Sequence, residues 1–504
     1  MAGLSKTAAI GALLVLAPAA QAQVTAEQVW QDWQEGAARL GETRIETGAE
    51  NRAGDTLTVT DLVLTMQGED GELVVRLPEI TFTEAGDGTV EVTLPESYPI
   101  EITGTDEEGV EAAIDLAVRQ EGLEVTVSGA PEAMRYDYAA TRYALELERL
   151  TENGEVVPAE AVLTLDAPVG SYLATTAPDG LRRTEYDLVA GNLSLSLDGA
   201  DTEEGGTVAI DAAVADVALS GVLALPEGME ESEALPEDFV LDFDYATGPA
   251  LVEFSGDGPQ GRAAGTARTA GSTVALALDR SRATYDSSTR GLELRLTESP
   301  LPLPIEIGVT EYGFGVDAPL AADAAPQDFS ARLTLDGLTV GEPVWRLFDP
   351  QAVLPRSPAS LIAEFTGAAT LPQDLTDPET AEAVGEEAAK AEAAPEIERL
   401  TLERLVLRLA GAEILGDGAF VFDNSDLETF PGFPRPEGKL ELKATGLNTL
   451  IENLAKLGAL PAEQLMSTRM MLGLFTTPLG RDELGSTIEV TPEGHVMANG
   501  QRLK

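Results

Sequence analysis

Residues 56–84, TLTVTDLVLTMQGEDGELVVRLPEITFTE, set the architecture, because apolar and polar side chains alternate along them on both sides of a turn. The alternation changes phase at Thr60-Asp61, which predicts a bulge where a long strand bends. Asp70-Gly71 supplies the turn. We therefore expect two long antiparallel strands that share one apolar face.

The same alternation continues to Val340 and predicts further strands joined by short turns. The fold class is therefore α+β and predominantly β, with one or more long antiparallel curved sheets. We assign 43–340 to this β-rich body, as one sheet or two sub-sheets. Because only one face is apolar, the sheet must curl, double over or hold something apolar. The clearest further runs are Val90/Val92, Ile114/Leu116/Val118, Val125/Val127, Tyr143/Leu145/Leu147, Leu193/Leu195/Leu197, Leu241/Phe243, Val274/Leu276/Leu278, Leu292/Leu294/Leu296 and Ile305/Ile307/Val309.

An amphipathic helix is expected over 23–42. Thr25 and Gln28 form a capping box at its start, and Gly41 ends it. Indole rings at helical spacing favour packing on the protein's own sheet, although they could also present a docking face to a partner. The apolar stripe is Val29, Trp30, Trp33, Ala37 and Leu40.

Residues 398–504 form a second predicted unit, with strands, two short helices and a closing hairpin. A turn is expected at 416–418, and Asn448 or Thr449 is expected to cap the first helix, which Gly458 ends. The second helix is expected to begin near Pro461. Both helices carry apolar stripes that require a partner. Those stripes are Leu447, Leu450, Ile451, Leu454 and Leu457, and then Leu465, Met466, Met470 and Leu474.

Two segments connect the body to this unit. Residues 341–375 contain a Trp and Asp-Pro motif, GEPVWRLFDP at 341–350. Residues 376–397 are rich in Ala and Glu without an apolar stripe, which predicts a mobile excursion and a domain boundary.

The motif at 341–350, its continuation LPRSP at 354–358 and the early VTAEQVW at 24–30 resemble a family of exported alphaproteobacterial proteins, numbered 2125 among the domains of unknown function. The C-terminal unit is also faintly similar to the β-repeats of AsmA-type envelope proteins. The resemblance implies export and a β-rich fold, and it brings no catalytic residues.

The first 22 residues have the pattern of a cleaved signal peptide. Lys6 precedes an apolar run over 8–16, and Ala20-Gln21-Ala22 is an A-x-A cleavage site. The apolar run is shorter than the roughly 20 residues of a spanning helix. We expect cleavage after Ala22, a periplasmic location and no transmembrane segment in the mature chain.

Composition excludes several functions. The chain has 504 residues and no cysteine, which rules out disulfides, thiol nucleophiles and thiolate metal sites. Its formal net charge of −55 excludes nucleic-acid binding by counterion release and repels anionic membrane surfaces.

Motifs for catalysis are weak, and we assign no catalytic, cofactor or metal residue. His495 is the single histidine and has no second histidine or nucleophile motif beside it. The G-x-G-x-x-G letters at 256–261 contain a proline and precede a strand instead of a helix, so they predict a loop. Asp242 and Asp244 share a strand face, but with 87 acidic residues such pairs arise by chance.

Three functions remain open. The first, which we favour, is a non-enzymatic periplasmic protein whose sheet holds or passes a lipid or another apolar ligand in envelope maintenance. The second is an envelope assembly or interaction protein that docks through sheet edges or the Trp30/Trp33 helix. The third is a hydrolase that acts through carboxylates. The expected partner is a lipid or an envelope protein, with no cofactor.

Overall fold

The computed structural model describes residues 23–38, 43–68, 70–105, 109–177, 181–201, 205–225, 235–259, 261–298, 303–376 and 395–504. Three predictions fall outside these residues. They concern the signal peptide, the helix end at Gly41 and most of the Ala/Glu-rich segment.

Strands make up 68% of the structure, in a long antiparallel sheet accompanied by four helices, which confirms the predicted fold class. The helices are α1 (Ala26–Ala38), α2 (Glu342–Phe348), α3 (Leu447–Lys456) and α4 (Ala462–Phe475). The strands are β1 (Thr43–Glu46), β2 (Ala49–Ala53), β3 (Thr56–Gln67), β4 (Gly71–Glu84), β5 (Val90–Thr93), β6 (Ser97–Thr105), β7 (Glu111–Glu121), β8 (Glu124–Ala130), β9 (Ala133–Ala139), β10 (Arg142–Glu152), β11 (Glu155–Val157), β12 (Ala159–Asp166), β13 (Val169–Thr176), β14 (Arg182–Asp201), β15 (Gly206–Leu225), β16 (Val240–Thr247), β17 (Ala250–Gly258), β18 (Gly261–Thr269), β19 (Gly271–Asp279), β20 (Arg282–Glu298), β21 (Ile305–Pro319), β22 (Asp323–Val340), β23 (Ala359–Leu371), β24 (Glu396–Leu409), β25 (Ala412–Asp423), β26 (Arg435–Thr445), β27 (Thr477–Gly480), β28 (Glu483–Val490), β29 (Val496–Ala498) and β30 (Gln501–Arg502).

The sheet divides twice into two ribbons and rejoins each time. The two halves of β4 pair with different strands, β5 and β6. One ribbon runs through β5, β8, β9 and β13, the other through β6, β7, β10 and β12, and both pair with the long strand β14. After β15 the sheet divides into β16–β19 and β17–β18, which rejoin at β20. From β20 to β26 each strand pairs with the next, so β23 pairs with β24 across the Ala/Glu-rich segment.

A crease runs between the two ribbons. At the predicted bulge Asp61 has φ +50°, and the pairing passes from Thr60↔Glu79 to Leu62↔Leu77 with the residues between them unpaired. Val59 and Leu62 belong to one buried cluster although three positions separate them. The left-handed backbone conformation of Asp61 therefore shifts the side-chain alternation by one residue. As a result, the apolar side chains of both halves of β3 lie on the same face.

The crease recurs along the sheet, at Asp216 (φ +50°), Gly291 (φ +65°) and Gly337 (φ +68°). Glycines on a neighbouring strand, or in the turn beside it, give room to the polar side chains there. A Cβ on Gly248 would lie 2.8 Å from Asp216 Oδ2, and one on Gly337 would lie 2.1 Å from Thr310 Oγ1. At both positions a neighbouring side chain lies where a Cβ would be, which favours glycine. Gly337 is also favoured by its positive φ.

The densest core lies at the N-terminal end, where α1 packs on β3, β4, β5, β8 and β9. The predicted capping box is present, since Thr25 N donates to Gln28 Oε1 (3.0 Å) and Gln28 N donates to Thr25 Oγ1 (3.3 Å). Between residues 182 and 340, by contrast, few apolar side chains among the described residues are fully buried, and most of those are small.

The Trp and Asp-Pro segment folds around a buried carboxylate. Asp349 accepts hydrogen bonds from the backbone N–H groups of Val353 and Leu354 (2.9 Å each) and from Arg356 Nη1 (2.6 Å). Burial opposes ionisation, but these donors hold the pKa of Asp349 below its usual range. The Arg356 guanidinium also lies 4.4 Å from the Trp345 ring centroid. Residues 345–356 are thus held together by a local polar cluster, and β23 joins the rest of the segment to the sheet.

The C-terminal unit has the predicted helices and hairpin but differs in two details. Residues 416–418 lie inside β25 and not in a turn, since the chain reverses at Ala410 and Gly411. The start of α3 is capped by Asp482, whose carboxylate accepts hydrogen bonds from Asn448 N (2.9 Å) and Thr449 N (3.1 Å). Both differences arise from contacts between strands that come together only in the folded sheet.

The expectation that both helical stripes find a partner is wrong for α4. Leu465 and Phe475 are half-buried, whereas Met466 and Met470 of the predicted stripe are 76% and 71% exposed. The helix is apolar on more than one side, and the sheet contacts only one of those sides.

Substitution of Gly337 by alanine tests the crease. The change places a Cβ against Thr310 Oγ1 at a positive φ, so we expect a destabilisation of about 1–3 kcal/mol. Urea unfolding followed by circular dichroism measures it. Gly258→Ala is the matched control, because no atom lies within 4 Å of its added Cβ. Equal midpoints for the two variants would contradict the role of Gly337.

Candidate functional site

Apart from Ser287, one face of the sheet is apolar along a row of residues that are directly paired from strand to strand. We call this face the apolar trough. The row crosses sixteen strands, from β4 to β26, which at about 4.8 Å per strand is roughly 70 Å. Its members are Phe82, Val92, Val125, Tyr138, Gly170, Leu188, Leu219, Tyr245, Val274, Ser287, Phe314, Leu333, Ala363, Leu405, Gly416 and Leu442.

The second ribbon carries a parallel apolar row on the other side of the crease. Tyr98 and Val75 of this ribbon pack against the same core as Phe82, so both ribbons turn their apolar faces to one side. The row consists of Tyr98, Val118, Leu145, Leu163, Leu195, Ala212, Val252, Ala267, Leu294 and Ile307. Together the two rows form the walls of the trough.

The opposite face is acidic. A third paired row lies on the reverse of the sheet. Each of its residues is one position along the strand from a residue of the first row, so its side chain points to the opposite face. There Asp187 accepts a hydrogen bond from Ser171 Oγ (2.5 Å), and Asp286 pairs with Arg332 (2.7 Å). The row consists of Asp137, Ser171, Asp187, Ser220, Asp244, Ala275, Asp286, Gly315, Arg332, Glu364 and Arg404. The charged side chains among these paired rows therefore lie on the face away from the trough.

The middle of the trough is open to solvent. Tyr312, Phe314 and Leu333 on β21 and β22 remain 40%, 45% and 44% exposed. Tyr285 lies beside Phe314, with 6.2 Å between the ring centroids, which continues the aromatic surface onto β20. A contiguous exposed apolar surface of this kind marks a binding site more often than an isolated exposed residue does.

Aromatic rings in the trough lie over glycines of the paired strand. A Cβ on Gly170 would lie 2.5 Å from Tyr138 Oη, and one on Gly221 would lie 2.5 Å from Tyr186 Oη. Each ring therefore occupies the space that a larger side chain would fill, and it shields the backbone of the neighbouring strand. Sequence reasoning missed this feature, although isolated glycines inside alternating runs were its signal.

Helix α1 fills the N-terminal end of the trough. Val29 and Trp30 are buried, and the Phe82 ring lies 5.9 Å from Trp30 and 5.6 Å from Trp33 between centroids. The prediction that the indoles pack on the protein's own sheet is confirmed. Both indole rings therefore contribute to the protein's own core.

A polar cluster holds α1 in this position. Asp32 accepts hydrogen bonds from the Tyr136 hydroxyl (2.7 Å) and from Arg182 Nη1 (3.0 Å). Tyr136 stacks on Tyr172, with 4.3 Å between ring centroids. Burial, with help from Tyr172 and Asp32, raises the pKa of Tyr136, so its phenol stays neutral and donates. The cluster joins α1 to β9 and β14, strands more than 100 residues away.

The start of α1 is fixed by Glu84. Its carboxylate accepts a hydrogen bond from Ala26 N (3.1 Å) and pairs with Arg52 (3.0 Å). The Ala26 N–H, and after it Arg52, lower the pKa of Glu84 below its usual range. A carboxylate at a helix N-terminus is also favoured by the helix dipole. Polar contacts therefore hold α1 on the sheet at its first turn and at Asp32.

The weak motifs of the sequence do not come together into a site. His495 lies between β28 and β29. Of the G-x-G-x-x-G match, Gly256 and Gly258 lie at the end of β17 and Gly261 begins β18. Asp242 and Asp244 lie on the acidic face. Within the described ranges, no group of three or more His, Cys, Asp or Glu residues could hold a metal ion. None of the helices in these ranges is long and apolar enough to cross a membrane.

Comparison with known proteins gives no further assignment. A scan of family models, a search of curated proteins and a search of solved structures each found no match to the chain.

Breaking the ion pair that holds α1 gives a direct test of the closed end. In Arg182→Met the Asp32 carboxylate stays largely buried without its partner, which should cost about 3 kcal/mol. The chain lacks cysteine and the Val29 side chain is buried, so the thiol of a Val29→Cys variant reports opening of α1. We expect its labelling rate to rise roughly 100-fold when Arg182→Met is added.

The control for this experiment is Arg262→Met. Arg262 pairs with Asp257 at an exposed position, and loss of such a pair changes stability by less than about 1 kcal/mol. If the Val29→Cys thiol is labelled at the same rate with Arg182→Met as with Arg262→Met, the Asp32 pair does not hold the helix.

Proposed function

We propose that the protein is a non-enzymatic carrier that holds or passes acyl chains in the apolar trough. The observation that carries this proposal is the paired apolar row, which crosses sixteen strands and remains open in its middle. A folded domain normally covers the apolar face of its sheet with a second layer. Here the middle of that face is uncovered, so a ligand of matching shape and chemistry is its natural cover.

The chemistry of the trough selects for hydrocarbon chains. Its walls are aliphatic and aromatic, whereas the acidic side chains of the same strands lie on the reverse face. Burying a methylene group contributes about 0.8 kcal/mol, so contact along several strands supports a long chain without a specific head-group contact. The length of roughly 70 Å exceeds the hydrocarbon thickness of a bilayer, about 30 Å, and gives room for more than one chain.

A periplasmic location is part of the proposal. It is supported by Lys6, the apolar run over 8–16 and the A-x-A site that ends at Ala22. In that compartment an acyl chain must be shielded from water between the two membranes. A cysteine-free chain with an acidic outer face suits an aqueous, oxidising compartment.

Native mass spectrometry of the protein from Gln23 onward tests the proposal. Protein purified from periplasm without detergent should carry additional mass that resolves, after extraction, into phospholipid or fatty acid. A bare protein mass would instead mean that the trough does not retain lipid.

A charge inside the trough should remove the lipid. We expect Phe314→Asp and Leu333→Asp, made separately, each to lower bound lipid at least about tenfold, because a buried carboxylate opposes the acyl chain. Both side chains are nearly half exposed, so folding should be retained. Thr273→Asp is the control, since Thr273 is exposed on the opposite face of β19 and pairs with Ala246 and Ser288. Equal lipid content in all three variants would contradict the proposal.

A further inference from the structure

Helix α4 leaves an apolar surface uncovered at the C-terminal end. We define the α4 patch as Met466, Met470, Met471 and Leu474, together with Leu479 at the start of the following hairpin. Met466, Met470 and Leu474 lie at i, i+4 and i+8, on one side of the helix. All five side chains are exposed, Met466 and Met470 the most.

The helix carries apolar side chains on two of its sides. Leu465, Leu472 and Phe475, which are half-buried, form its inner side, and the patch forms much of its outer side. The apolar side of a helix is normally packed against other apolar material. The sheet covers one side of α4, so the outer side requires an occupant.

Charge points to the kind of occupant. From Arg435 to Lys504 the chain has eight Lys and Arg residues and eight Asp and Glu residues, so the whole net charge of −55 belongs to the residues before it. This end is therefore the part of the molecule that can approach an anionic lipid surface without repulsion.

Cationic residues adjoin the patch in the sequence. Lys456 ends α3, Arg469 lies within α4 and pairs with Glu452 (3.0 Å), and Arg481 follows Leu479 by two positions. Arg481 is exposed and forms no ion pair with another described residue. A long cationic side chain beside exposed apolar side chains suits a bilayer interface, because its stem lies along apolar material while its charged end stays in water.

Charge argues against a second copy of the chain as the occupant. A second copy would bring another body of strongly negative net charge close to this one, and the two bodies would repel each other.

We propose that the α4 patch binds the surface of a lipid bilayer and so places the C-terminal end of the molecule on a membrane. The proposal does not depend on lipid transport in the trough. If both are correct, the bilayer contact lies on the unit that continues the trough beyond β23, whereas α1 closes the opposite end.

Vesicle flotation tests the proposal. The protein from Gln23 onward is mixed with vesicles of equal parts phosphatidylethanolamine and phosphatidylglycerol. We expect the unsubstituted protein to float with the vesicles and Met466→Gln/Met470→Gln to bind at least about tenfold more weakly. Glutamine is close to methionine in size and helix propensity, so circular dichroism should show unchanged folding.

The matched control is Leu347→Gln/Phe348→Gln. These two side chains are also exposed apolar residues of a helix, but they lie on α2 outside the patch. The control should float like the unsubstituted protein. Phe314→Asp should also float, although it loses lipid from the trough, and this separates failure of the membrane contact from failure of the proposed carrier function.

A label on the helix locates the contact. A polarity-sensitive dye attached to the thiol of Met470→Cys should shift its emission to the blue when vesicles are added, whereas the same dye on Phe348→Cys should not. Failure of the unsubstituted protein to float, or equal flotation of the Met466→Gln/Met470→Gln variant, would overturn the proposal. So would a dimer in sedimentation that this variant dissociates, because a second copy would then occupy the patch.

Discussion

The structure depends on keeping every apolar side chain of a long strand on one side of a sheet that bends. In a regular strand the side chains alternate strictly, so a bend without re-phasing would send half of them to the wrong face. A single residue with a left-handed backbone conformation removes this conflict in each long strand, by shifting the alternation by one position. These residues are Asp61, Asp216, Gly291 and Gly337. The crease they form allows the sheet to divide into two ribbons whose apolar faces remain on the same side.

The asymmetry between the two faces follows from this crease. Acidic residues that share strands with the trough are paired or solvated on the reverse side, so their charges cost little free energy. The apolar side stays exposed in the middle and is closed at the N-terminal end by α1. Asp32 and Glu84 hold that helix through hydrogen bonds from distant strands and from its own first turn. The molecule thus has one closed end and one end that presents exposed apolar side chains.

Much of the fold could be predicted from local pattern. The alternation predicted the strands, Thr25 and Gln28 predicted the start of α1, and the phase change at Thr60-Asp61 predicted the first bend. The turn predicted at 416–418 was wrong, because glycines can also serve close packing inside a strand. A Cβ on Gly416 would lie 2.5 Å from Leu442 Cδ2, and one on Gly418 would lie 2.6 Å from the Lys439 carbonyl oxygen. The cap of α3 was missed because Asp482 is more than 30 residues away in the chain.

Local sequence was enough to specify one-sided strands, because period-two alternation depends only on neighbouring residues. Composition likewise sufficed for the absence of thiol chemistry and for the strongly acidic charge. The folded sheet was needed to establish that the two rows of apolar residues line one face, that the Trp30 and Trp33 rings pack into the core, and that the outer side of α4 is uncovered. These outcomes depend on register between strands distant in sequence, and on which apolar surfaces meet, and a local pattern specifies neither.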